Sequence, residues 1–361
     1  MAVIAALDAK TDLTGIATGG VINEDVMQRI WDVSRIPLPF TDRVGSGRVS
    51  AAQYDWVTDK LATAAANAWV ETANFSTSTA SGVTDFADSA TGPTVRYRNH
   101  INISVKAVSV SEMAGAVSSV GGSGGLAYNL MVAQQELRRD VEFMALANQA
   151  SVIGNGTSTA PRTAGYAATV KDQTTPTRNL CDTAGTEGGY NTSTNLFDAY
   201  TPGTKRAVTE AKIRDLAQAL YLGGCGGPGQ NLVAMCAPTI KRTISTYMYS
   251  SSARIAQFVK DVNDSSMATA QGAVDVFITD YGTLELIPNR FMGDLGTNQY
   301  GLYIFDPAYF ELVYLRGYTT TESAKLGLVD RRFVNVYWGT RANPECMGAI
   351  LDIDDAVAMT A

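Results

Sequence analysis

The chain has a single histidine, His100, so any chemistry that needs an imidazole must be built around that residue. A serine nucleophile would require such a base beside it. His100 stands instead in a row with Arg96 and Arg98, on a stretch that alternates like a strand, where a solvated or interfacial role is the expectation. Two glycine patterns could cradle a phosphate. Gly224-Cys225-Gly226-Gly227-Pro228-Gly229 has the right spacing, but it follows a helical pattern and precedes a strand, the reverse of what an anion at a helix N-terminus needs. The run from Gly121 to Gly125, GGSGG, does precede a helix. No acidic residue follows at the end of a strand to hold a ribose, so it reads as a hinge.

The remaining reactive groups are no more convergent. Cys181, Cys225, Cys236 and Cys346 lack CxxC spacing, and only His100 could join them, so a zinc site is not expected. Four free thiols are the expectation instead. Asp354, Asp355 and Asp140 read as solvated carboxylates. Glu142 differs, because it falls near the buried side of a helix, where a carboxylate needs a partner. An arginine is the expected one. The chain thus offers no catalytic constellation, cofactor site or metal site, and it does not read as an enzyme.

Composition narrows the class further. With 361 residues, 45% hydrophobic and only 17% charged, the chain can build a sizeable core and exposes few charges. Low charge suits a surface buried against other copies, since interface centres shed Lys, Glu and Asp. A net charge of -7 opposes nucleic-acid binding, which rests on Lys and Arg displacing counterions. The first residues lack the basic and apolar regions of a secretory signal.

The elements that must position these groups can be read from periodicity. After the hinge, Leu126, Leu130, Ala133, Leu137, Val141 and Met144 recur on one helical face. About 24 uninterrupted residues give a rod of roughly 36 Å, and its charges exclude a membrane span. Glu210–Leu222 is a second amphipathic helix ended by glycines. From Val95 the odd positions Val95, Tyr97, Ile101, Ile103, Val105 and Ala107 are apolar and the even ones basic or polar, with Asn99 the exception. That alternation predicts one long strand with a single buried face. Gln53 to Leu61 is a second strand, with Asp55 and Asp59 on one face and Tyr54 and Trp56 on the other. The two are read as a protruding β-arm. Upstream, Asn23 can cap a helix over residues 24–34, and the proline-fixed Arg35–Phe40 must be extended and is expected to pack on a neighbour. Residues 171–205, rich in Thr, Gly and Asn, read as a surface loop. Strand patterns such as NLVAMCA, AVDVFIT, GLYIFD and RFVNVYWGT complete an α+β fold with a mixed or antiparallel sheet.

These segments occur in an order that resembles one family. The arm with PLPF, the opening Tyr54-Asp55-Trp56, the strand TVRYRNHINI, the helix LAYNLMVAQQELRRDVEFMALANQ, the loop GNGTSTAPRTAGY, and the segments DVFITDYGTLELIPNRFM, GLYIFDPAYFELVYLRGY and AKLGLVDRRFVNVYWGTRANPECMGAILDI follow one another. Over roughly residues 20–353 the chain is similar to the major head proteins of tailed bacteriophages, with the Hong Kong 97-type capsid fold. The resemblance implies an N-terminal arm over 1–50, an extended β-arm over 51–111, a peripheral domain over 112–164 with the spine helix, an axial domain over 165–325 and a return to the peripheral domain over 326–361. It implies a structural protomer that self-assembles into hexamers and pentamers of an icosahedral head around double-stranded DNA. Scaffolding, portal and decoration proteins are its implied partners, the virion its location and the host cytoplasm its place of assembly. Some members cross-link a lysine to an asparagine. Lys60 and Lys106 fall on the β-arm, but no such motif is matched. Inter-subunit contact candidates are Pro37, Pro39, Phe40, Asp55, Trp56, Asp59, Arg96, Arg98 and His100. The alternatives are a non-viral nanocompartment shell of the same fold and, from another class, a nucleotide-binding enzyme using the GGSGG hinge.

Overall fold

The computed structural model describes residues 37–59, 94–116, 125–170, 179–180, 184–225, 231–250, 275–292, 299–325 and 327–359. The helix forecast over 24–34, most of the glycine hinge, residues 60–93 of the arm, and Cys181 lie outside these. In chain order the first elements are β1 (Gly45–Arg48), β2 (Gln53–Thr58), β3 (Val95–His100), β4 (Asn102–Ser111), α1 (Glu112–Ala116), α2 (Leu126–Leu146) and α3 (Tyr166–Thr169). Then come β5 (Asn179–Leu180), β6 (Gly189–Asn191), β7 (Leu196–Asp198), α4 (Glu210–Leu222), β8 (Asn231–Cys236) and α5 (Pro238–Ser250). The chain closes with β9 (Val276–Thr279), β10 (Gly282–Pro288), β11 (Tyr300–Phe305), β12 (Phe310–Glu322), β13 (Val329–Ala342) and β14 (Met347–Ile353). Helices and sheets are mixed along the chain, as the α+β expectation requires.

Two compact units result. One comprises Met1–Pro37, Val105–Glu136 and Thr320–Val334; the other comprises Leu38–Ser104, Leu137–Thr319 and Asn335–Ala361. Strands β4, β12 and β13 and helix α2 have residues in both. In the smaller unit the Glu112 amide donates to the Leu328 carbonyl at 3.0 Å, and Lys325 pairs with Glu112 and with Asp330. Lys106 reaches Glu136 of α2 at 3.7 Å.

The larger unit is built on a six-stranded sheet of order β5-β14-β11-β8-β10-β9. It is mixed: β8 runs parallel to β10, while β11 runs antiparallel to both β8 and β14. Every residue of β14 is buried, the pattern of a strand covered on both faces. Helix α4 spans the forecast residues. Thr209 caps it, its hydroxyl accepting from the Lys212 amide, and Ile213, Leu216, Ala217 and Leu220 face the core.

Helix α2 is the spine forecast from periodicity. No Gly or Pro interrupts its 21 residues, about 32 Å of rod. Ala133, Leu137, Val141 and Ala145, four apart, form its buried stripe. It stops at Leu146, three residues short of the expected end. There Asn148 leaves the helix, its amide donating to the Tyr200 carbonyl and its oxygen accepting from the Tyr200 amide. Gly165 then passes so close to the Ala147 carbonyl that no Cβ could fit.

Three expectations need correction. First, the single strand over 95–107 is two strands with opposite parity. Tyr97, Asn99 and Ile101 are buried, but beyond the break at Ile101 the even residues Asn102 and Ser104 turn inward, leaving Ile103 51% and Val105 49% exposed. The cause is a change of partner: among the described residues β3 pairs only with β2, whereas β4 joins a four-stranded sheet of order β1-β12-β13-β4. Second, Pro39 and Phe40 are not extended. The chain turns there, with the Val44 amide donating to the Phe40 carbonyl and the Asp42 amide to the Leu38 carbonyl. Third, Cys225 and Cys346 are joined as a disulfide, with Cα atoms 5.2 Å apart, rather than left as thiols. The end of α4 and the turn before β14 bring together residues 121 apart in sequence. Cys236 is a buried free thiol, and burial pushes its pKa up to about 12.

Candidate assembly interface

Strands β2 and β3 pair antiparallel as a two-stranded sheet, with Asp55 opposite Arg98, Trp56 opposite Tyr97 and Val57 opposite Arg96. The pleat sends successive side chains to opposite faces. One face of this arm base is therefore charged and the other aromatic.

On the charged face Asp55 gathers both arginines. Arg98 donates to its two oxygens at 2.9 and 3.2 Å, and Arg96 also pairs with it. The Arg98 hydrogen bond, ahead of that of Arg96, holds the Asp55 carboxyl below the usual range, even against partial burial. Arg96 remains 67% exposed, as does Val57 at 60%. Asp59 lies just past the end of β2 and is exposed. His100 does not share this setting. It is 5% exposed, and its Nε2 has no hydrogen-bond partner among the described residues. Desolvation, followed by the charge of Arg98, lowers its pKa. The solvated or interfacial role expected for His100 is thus corrected: the strand end on which it lies has entered the core.

The aromatic face is anchored at its root. The Tyr54 hydroxyl donates to the Thr340 carbonyl at 2.7 Å and the Trp56 indole to the Ala342 carbonyl at 2.9 Å. Gly339 lies directly against the Tyr54 ring, where any Cβ would collide with the hydroxyl. Asn99, the polar exception in the apolar row, follows the alternation and faces inward. Its amide donates to the Thr340 carbonyl and hydroxyl at 3.0 Å, and its oxygen accepts from the amides of His100 and Ala164. A buried amide with all its groups in use is tolerated, which is why the pattern survives an Asn. Trp56 and Tyr97 each stack on Phe197, with centroids 6.1 Å away. Trp56, offered above as a contact for a neighbouring subunit, spends much of its surface inside its own chain.

Phe40 is a clearer correction. It is fully buried, with edge-on contacts to Tyr166, Phe305 and Phe310. It cannot pack on a neighbour, because its own core has already enclosed it. Pro37 is exposed and Pro39 half-buried beside it. Glu142 holds this turn in place. It accepts from the Phe40 amide at 3.1 Å, from the Thr41 amide and hydroxyl at 3.0 and 2.8 Å, and from the Asn289 side chain at 2.7 Å. Its partners are two backbone amides, a hydroxyl and a side-chain amide, not the arginine expected from sequence.

Tyr190 and Phe197 were missed. Strands β6 and β7 have three residues each, too few for alternation to register, although two aromatics flanking Asn191 to Asn195 are a hairpin signal. Among the described residues no cluster of His, Cys, Asp and Glu could hold a metal ion, and no helix is long and apolar enough to cross a membrane.

Comparison with known proteins bears on what this surface meets. The sequence matches the family described as SU10 major capsid protein over residues 8–354. No curated protein matches. The fold is similar to a cyanophage A-1(L) capsid chain (TM-score 0.62, 12% identity, covering 95% of this chain and 99% of that one). It is also similar to the capsid of a native GTA particle (TM-score 0.57, 12% identity, 95% and 98% covered). A third similar structure is the SrpI encapsulin of Synechococcus elongatus (TM-score 0.52, 10% identity, 97% and 99% covered). At these identities the structures establish the fold, of the Hong Kong 97 type.

Proposed function

We propose, from the premise that this chain belongs to the SU10 major capsid protein family, that it is the repeating protomer of an icosahedral phage head, assembling through hexamers and pentamers around double-stranded DNA. A major capsid protein is a structural component of the virion, and it associates with copies of itself. The observation that carries the reading is the family match across residues 8–354. The physics is compatible: a shell requires heterologous contacts that close, and a two-stranded arm base with a charged outer face offers such a contact.

In this reading the N-terminal arm spans 1–50, the β-arm 51–111, the peripheral domain 112–164 with 326–361, and the axial domain 165–325. Of the contact candidates, Pro37, Asp59, Arg96 and the Asp55–Arg98 pair remain accessible for a neighbouring subunit, while Phe40, Trp56 and His100 serve the protomer. The protein acts without catalytic activity of its own, and portal, scaffolding and decoration proteins complete the particle. The encapsulin likeness keeps a nanocompartment shell as the second reading. Electron microscopy of the expressed protein, followed by analysis of shell contents, tests both. Closed shells that package DNA in an infected host are expected. Shells holding an enzyme cargo would favour the nanocompartment, and a monomer retaining a nucleotide would overturn the capsid reading.

A further inference from the structure

The segment over 171–205 was expected to be loop, yet its described residues 184–205 carry two of the most buried aromatics near the arm. Phe197 is 0% exposed and Tyr190 8%. We infer that the β6–β7 hairpin is a brace that positions the β-arm, with Phe197 and Tyr190 as its positioning residues. The inference rests on the reading that the arm meets an adjacent subunit.

Three observations carry it. Among the described residues the β2–β3 sheet has two strands, and such a ribbon is marginal unless its apolar face packs on something. Its aromatic face packs on two clusters: Tyr54 and Trp56 meet Ile101, Val313 and Tyr337 beside the Thr340 and Ala342 carbonyls, and Trp56 and Tyr97 meet the hairpin. Phe197 stacks on Trp56 and on Tyr97 with planes within 15° and 16°, and Tyr190 meets Tyr97 edge-on at 5.1 Å. Ala164 and Ala168 close the same cluster.

The hairpin is in turn fixed to the end of the spine. The Ser151 amide donates to the Phe197 carbonyl at 2.9 Å, and the Phe197 amide donates to the Ser151 hydroxyl at 2.7 Å. Asn148 is bonded both ways to the Tyr200 backbone.

Finally, the hairpin is itself stiff. Thr186 and Thr201 exchange backbone hydrogen bonds of 3.1 and 2.8 Å at its root, and the Asn195 amide closes its turn onto the Asn191 carbonyl at 2.8 Å. A flexible loop would use none of these. The result is an unbroken path of packed groups from the exit of α2, through β7, to Trp56 and Tyr97. The base of the arm is thereby tied to the helix end.

The test compares the full-length protomer with Phe197→Ala by hydrogen exchange and electron microscopy. The brace predicts that amides of β2 and β3 exchange at least ~tenfold faster while those of β8, β10 and β11 keep their protection, because stacking is lost only at the arm. Shells should be absent or irregular. Unchanged exchange at β2 and β3, or an equal rise in every strand, would overturn the brace. Should Phe197→Ala give no soluble protomer, Phe197→Leu keeps apolar volume without the ring plane and should show a smaller rise confined to the same strands. Local loosening with normal shells would uphold the brace and sink the arm-contact reading instead.

Discussion

Asp55 and Glu142 are both carboxylates that gather several donors, and they do opposite work. Glu142 is fully buried, and its donors are two backbone amides, a hydroxyl and a side-chain amide. Asp55 is partly buried at the protein's edge, and its donors are two arginines, one of them largely exposed. The Glu142 arrangement has no charge to offer anything outside. Its oxygens satisfy groups that would otherwise be stranded in the core. The Asp55 arrangement adds little to one protomer, since exposed ion pairs are weak and screened. It does present a patterned charge on a face repeated in every copy. Burial and donor type, rather than the carboxylate, separate a group that serves the fold from one proposed to serve assembly.

The largest expected effect is at Glu142. Glu142→Ala strands the Phe40 and Thr41 amides and the Asn289 amide, and should cost at least ~3 kcal/mol of protomer stability in urea unfolding. Glu142→Gln, which keeps one acceptor oxygen, should lose roughly half as much. An unchanged midpoint for Glu142→Ala would place this carboxylate in the same class as Asp55 and erase the contrast.

A smaller effect is expected at His100, which sits where the two regimes meet. Its folded pKa is depressed below the ordinary 6.5, so the folded state binds fewer protons than the unfolded one. Its contribution is complete above about pH 6.5 and is lost as the pH falls from there through the depressed value. Thermal melts at pH 7.5 and pH 5 should therefore differ more for the wild type than for His100→Gln. The charged groups facing His100 are Arg98, which resists protonation, and Asp55, which favours it. An equal drop in both proteins would mean that His100 is hydrated like the charged face.

The smallest effect on stability belongs to the charged face. Arg96→Glu with Arg98→Glu should shift the protomer melting temperature by no more than ~2 °C. Shell assembly should nevertheless fail, because the reversed charges recur at every copy. Normal shells from this double variant would remove the arm's charged face from assembly. A large loss of protomer stability would move Asp55 into the company of Glu142.

How far the sequence disclosed all this depended on whether a residue's partners were near in sequence or period. Helices α2 and α4 were legible because one face carries the whole signal. The acidic row of Asp55 and the basic row of Arg96 and Arg98 were legible from alternation, but that they pair with each other follows from the antiparallel register. The parity reversal at Ile101 was not, since it depends on which sheet each half of the strand joins. Phe40 was misread because an apolar stretch fixed by prolines near a terminus looked spare, and its pocket is lined by residues from distant parts of the chain. Cys225 and Cys346 were misread for the same reason, their meeting being a product of topology. Tyr190 and Phe197 sat in a segment whose Thr, Gly and Asn content hid two short strands.

The burial of Phe40 also sets a schedule. Its amide bonds to Glu142, 102 positions later, and Asn289, which completes that carboxylate, lies a further 147 positions on. Phe305 and Phe310, which enclose the ring, come later still. On the ribosome the turn at Phe40 is made early and must wait, unsheltered, until most of the chain has followed. Contacts this distant make for slow closure. A growing chain holds this phenylalanine without its last enclosing ring until Phe310 has been made, and apolar surface left unsheltered in that way is open to aggregation.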